Sequence, residues 1–124
     1  MFSALARITA AGDDPRTLAL LSRTFRSLVK NRREKIFHTF QTGTRSDLQL
    51  IDVRMEQSLS IYVGCRSQKS VRHLDSAYES GNLLAVLREC SSSVVDGIDI
   101  KRIRWDAADF NRCIQYFRNL SGNL

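Results

Sequence analysis

A chain of 124 residues with 43% apolar and 26% charged side chains has the composition of one globular domain, not of a disordered or fibrous polymer. At this length roughly two-thirds of the unfolded surface can be buried, so neither disulfide nor metal is needed to hold a fold, and no apolar run reaches the roughly 20 residues of a membrane span. The net charge of +6 favours acidic partners: nucleic acid, an anionic membrane face or an acidic protein surface.

Phe2 to Thr9 alternates Phe2, Ala4, Ala6 and Ile8 with Ser3, Leu5, Arg7 and Thr9, which predicts a first strand. With no positive region ahead of it, this apolar start does not read as a secretory signal. Gly12-Asp13-Asp14 marks a turn, and Asp14-Pro15 is a helix start, Asp as cap and Pro with φ already set. Leu18, Leu21, Phe25 and Leu28 then share one helical face, while Arg23, Arg26, Lys30 and Arg33 share the opposite one. Ile36, Phe37 and Phe40 extend this helix or begin a second, and Thr42-Gly43-Thr44 closes the segment.

Leu48 to Met55 alternates Ile51, Val53 and Met55 with Asp52 and Arg54. After the polar tip Glu56-Gln57-Ser58, Leu59, Ile61, Val63 and Cys65 alternate with Ser60, Tyr62 and Gly64. Two such runs around a short break predict a β-hairpin. Ser67 to Lys69 reads as a loop and Asp75 to Cys90 as a helix weakened at Gly81-Asn82. Val95 to Arg104 predicts a fourth strand that ends or bulges between Ile100 and Ile103, where the alternation changes phase. Asp106 can cap a last helix, whose stripe is Phe110, Cys113, Ile114 and Phe117. The order β-α-β-β-α-β-α predicts one α+β domain over residues 1–124, a four-stranded antiparallel sheet with helices packed on it.

The residue pattern holds no catalytic motif. His38 and His73 lie in no triad or zinc spacing, no glycine-rich loop follows a strand, and no paired carboxylates stand out. Cys65, Cys90 and Cys113 form no C-x-x-C pair and lie in apolar stretches, so they read as buried free thiols in a reducing, cytoplasmic setting. The chain thus reads as non-catalytic, without metal or cofactor, working by binding a macromolecule. Three surfaces are candidates. The basic face of Arg23, Arg26, Lys30 and Arg33 suits a nucleic-acid module. The sheet surface of RNA-recognition modules has the same element order but stacks bases on aromatics, and the third strand offers only Tyr62, which argues against that mode. The short first strand offers an edge for a partner strand.

The segment DLQLIDVRMEQSLSIYVGCRSQKSVRHLDSAYESGNLLAVLREC resembles the middle of the N-terminal domain family of the tumour-necrosis-factor-receptor-associated death-domain adaptor (TRADD). The matching features are the LQ-plus-apolar opening of the hairpin, the Gly64-Cys65-Arg66 cluster at its end, and the helix pattern carried by Ala77, Tyr78, Gly81, Leu83 and Leu87. Ile98, Ile100 and the Arg112-Cys113-Ile114 run extend the likeness downstream. SALARIT and the Pro15 helix extend it upstream. The resemblance implies an α-β sandwich that acts as a non-catalytic adaptor in receptor-linked apoptosis and survival signalling. It implies docking on the trimeric C-terminal domain of a TNF-receptor-associated factor. The family's contact strand falls on Leu5 and Arg7 and its assisting hairpin tip on Arg54, Met55 and Glu56, without keeping the family's residues. A further contact segment and the death domain would lie beyond Leu124.

Overall fold

In the computed structural model the described residues are 4–11, 33–44, 48–56, 59–92 and 100–122, with Pro15, Arg16, Ala19, Leu20, Arg23, Arg26, Ser27 and Lys30, all eight of them helical. Alternation carries β1 (Ala4–Ala11). Ala4, Ala6, Ile8 and Ala10 are buried while Leu5 and Arg7 are exposed. The strand is shifted two residues past the predicted Phe2–Thr9, and Phe2 lies outside the described residues. Alanine is a poor strand former, so burial against the helices, not propensity, holds it extended.

After α1 (Arg33–Thr44) come β2 (Gln49–Met55) and β3 (Leu59–Cys65), the predicted hairpin. Thr42 to Thr44 belong to the helix rather than ending it. In β3, Leu59, Ile61, Val63 and Cys65 are wholly buried. The alternation of β2 is broken by an irregularity in pairing between Leu50 and Asp52. It puts Leu50 and Val53 in the core and leaves Ile51 only half-buried, against the simple alternation predicted. Ile51 lies against Gly64, where an added Cβ would come within 3.2 Å of its side chain.

The predicted Asp75–Cys90 helix is two helices, α2 (Gln68–Ser80) and α3 (Asn82–Ser92). Ser67 is not loop but the N-cap of α2, its Oγ accepting from the Ser70 N–H at 3.2 Å. Gly81, in the left-handed region with φ 83°, ends the helix by donating its N–H to the Tyr78 carbonyl. β4 is only Arg102–Arg104, the part after the phase change. Ile100, though buried, is not strand, and its carbonyl accepts from Arg88 Nε at 2.7 Å. The rest of the predicted strand, before Ile100, lies outside the described residues. α4 (Ala107–Gly122) buries Cys113, Ile114 and Phe117, while Phe110 meets the buried Trp105 edge to face. The Asp106 carboxylate does not cap this helix, because it pairs with Arg104 at 2.8 Å. The Asp106 backbone carbonyl takes the first N–H groups instead.

The sheet order is β2-β3-β1-β4, all antiparallel. This is the split β-α-β topology, with α1 in the first crossover, α2 and α3 in the second, and α4 added after it. The helices cover one face of the sheet and close a single apolar core. One expectation fails here. β1 is not an edge strand but lies between β3 and β4. Among the described residues no helix is long and apolar enough to cross a membrane.

Candidate functional site: the open face of the sheet

Register decides what the uncovered face displays. Arg7 lies opposite Tyr62, and Tyr62 opposite Asp52, a row running across β1, β3 and β2. One row along, Thr9 faces Ser60, and Ser60 faces Arg54; one row back, Leu5 faces Gly64. Side chains from three strands therefore meet. Arg7 pairs with Glu56 at 2.9 Å and donates from Nε to Ser60 Oγ at 3.2 Å. The Tyr62 hydroxyl donates to the other Glu56 oxygen at 2.6 Å. Arg54 pairs with Asp52 at 2.7 Å and lies over the Tyr62 ring, 5.3 Å from its centroid. The hydrogen bond to Glu56 pushes the Tyr62 hydroxyl above its ordinary pKa, aided by burial and the Glu56 charge and opposed by Arg7 and Arg54.

Leu5 stands beside this cluster, 43% exposed. With Leu20 it is one of two large apolar side chains left exposed among the described residues. Four of the five expected contact residues, Leu5, Arg7, Arg54 and Glu56, thus share one face. Met55 is placed by its backbone alone, opposite Leu59. Sequence reasoning missed Asp52, Ser60 and Tyr62 as members. Alternation already puts Ser60, Tyr62 and Gly64 on one side of β3, but which strand lies beside them is a matter of topology.

The Leu5–Arg7 stretch of β1 runs past the end of the short β4, and α4 completes it. Asp109 Oδ2 accepts from the Arg7 backbone N–H at 2.8 Å, and the Arg112 guanidinium donates to the Leu5 carbonyl. Asp109 also accepts from Trp105 Nε1 at 3.0 Å and from Arg112 at 2.8 Å. A carboxylate and a guanidinium supply what a neighbouring strand would supply, so the edge expected here is capped by side chains. Arg7, Thr9, Arg104, Asp106, Asp109 and Arg112 surround a pocket of about 280 Å³ at this corner.

A wider groove of about 620 Å³ lies between the end of α1 and α2, lined by Thr42, Thr44, His73, Ser76, Ser80 and Asn82. His38 and His73 are exposed, and Asn82 spans the groove's end to the Gly43 carbonyl at 3.1 Å. Cys65, Cys90 and Cys113 are buried and form no disulfide. Burial pushes the Cys90 and Cys113 thiols up to about 11, against nucleophilic use near neutral pH. Arg23, Arg26 and Lys30 are helical and exposed. Arg33 is the first residue of α1, and its side chain lies outside what is described. Comparison of the chain with protein-family models, with curated proteins and with solved structures finds no match.

Proposed function

We propose that the chain is a non-catalytic interaction domain of the adaptor type that docks a protein partner on the open sheet face, around Leu5, Arg7, Arg54, Glu56 and Tyr62. The observation behind this reading is the exposed Leu5 beside a cluster whose members already hold one another. Arg7, Glu56, Tyr62 and Arg54 are fixed by mutual bonds before any partner arrives, so binding orders few rotamers. An exposed apolar side chain ringed by polar groups is the pattern of an interface centre and its rim. The resemblance to the TRADD N-terminal domain family supplies the partner class, the trimeric C-terminal domain of a TNF-receptor-associated factor. It also supplies the setting, receptor-linked apoptosis and survival signalling in the cytoplasm.

Isothermal titration of the intact chain against that purified domain tests the reading. Leu5→Asp and Arg7→Asp should each weaken binding at least tenfold while circular dichroism stays unchanged. Unchanged affinity in both variants removes the sheet face as the site. Absence of binding by the parent chain removes the partner class.

A further inference from the structure

The charge of this chain is concentrated in one place. Residues 15–35, PRTLALLSRTFRSLVKNRREK, hold seven of the 19 lysines and arginines and one of the 13 carboxylates, Glu34. The remainder has twelve of each, so 21 residues carry the whole net charge of +6.

Arg16, Arg23, Arg26 and Lys30 lie at helical positions and are exposed. At 100° per residue they fall within an arc of about 80°, and at helical rise they span about 21 Å. Among the described residues no carboxylate pairs with any of them. Four arginines at the open face and its corner do have one: Arg7 with Glu56, Arg54 with Asp52, Arg104 with Asp106, Arg112 with Asp109. Arg7, Arg54, Arg104 and Arg112 are thus locally neutralised, whereas the helical cations have no carboxylate partner among the described residues.

We propose that this stripe is a contact for the phosphate backbone of duplex nucleic acid, independent of base sequence. A duplex offers a regular line of phosphates on the length scale of the stripe. Three of the four cations are arginines, whose planar fork matches phosphate oxygens. Between residues 15 and 30, Leu20, 42% exposed, is the one large exposed apolar side chain among the described residues. Single strands are held by stacking bases on aromatic rings, and the described residues of the stripe include none.

Fluorescence anisotropy of the intact chain with a labelled duplex of about 20 base pairs is the test. With four phosphate contacts, log affinity should fall against log salt with a slope of about −3 to −4, close to a hundredfold loss between about 50 and 200 mM salt. The triple variant Arg23→Glu, Arg26→Glu, Lys30→Glu should abolish binding, and Arg23→Gln with Arg26→Gln should roughly halve the slope. Trp105 fluorescence and circular dichroism report whether each variant is folded. If the Glu variant unfolds, the Gln variant alone decides. Leu5→Asp should leave duplex binding intact, which separates this surface from the sheet face. The proposal is overturned if the duplex does not bind at about 50 mM salt, or if a folded variant binds like the parent. It is equally overturned if a single strand, phosphatidylserine vesicles or polyglutamate binds as tightly as the duplex.

Discussion

Asp109 shows how much one side chain can hold. Its carboxylate accepts from the β1 backbone at Arg7, from the indole of Trp105 and from the guanidinium of Arg112, which itself reaches the Leu5 carbonyl. One residue of α4 thus ties the last helix, the buried tryptophan and the uncovered stretch of β1 together. Removing it takes the acceptor from the Trp105 indole N–H and the Arg7 backbone N–H, and an unmet buried donor costs about 1–3 kcal/mol. Asp109→Ala should therefore destabilise the domain by about 3 kcal/mol, read as a lower urea midpoint. Asp109→Asn, which keeps an acceptor but loses the charge, should recover part of that. Trp105 is the single tryptophan, so its fluorescence follows the transition at this corner directly. An unchanged midpoint in the alanine variant would mean that the cap contributes nothing.

Between elements, a close fit occurs where α1 meets α3. A Cβ at Gly43 would sit 2.6 Å from Val86 Cγ2, closer than carbon atoms approach, and 3.0 Å from Cγ1, which is tight. The glycine is there for contact with the facing helix. Gly43→Ala should cost about 1–3 kcal/mol by overpacking. Val86→Ala removes both clashing methyls, so the double variant should be more stable than the two single losses predict, by about 1 kcal/mol. Additive losses in urea unfolding would show that the helices relax apart instead. Gly81 serves differently, through a backbone conformation that stops α2 and lets α3 start at the next residue. That break is legible in sequence as Gly-Asn inside a helical stretch. The irregularity at Leu50–Asp52 is not, because it is defined by the partner strand.

For the whole molecule, burial of two thiols sets an alkaline limit. Cys90 and Cys113 are held to about 11, above their ordinary value near 9, by burial. The unfolded chain loses these protons from about pH 9 and the folded chain only near 11, so unfolding releases protons in that window. Stability should be full below pH 9 and fall steadily toward pH 11, as seen by urea midpoints across that range. Cys90→Ala with Cys113→Ala should flatten the fall while costing stability at neutral pH through lost packing. A parent midpoint independent of pH there would contradict the burial of the thiols.

By itself the sequence determined what local patterning can determine. The hairpin, the core face of β3 and the stripe of α4 follow from periods of two and of 3.6, since burial on one side forces that spacing. The uneven charge is readable for the same reason: it is a property of composition along the chain. Tertiary structure alone decided the strand order, which moves β1 from the edge to the interior. It also decided the meeting of Arg7, Glu56, Tyr62 and Arg54, and the capping of β1 by residues about a hundred positions away. These depend on which elements become neighbours, and neighbour choice is settled by how several apolar faces bury together rather than by the pattern of any one segment.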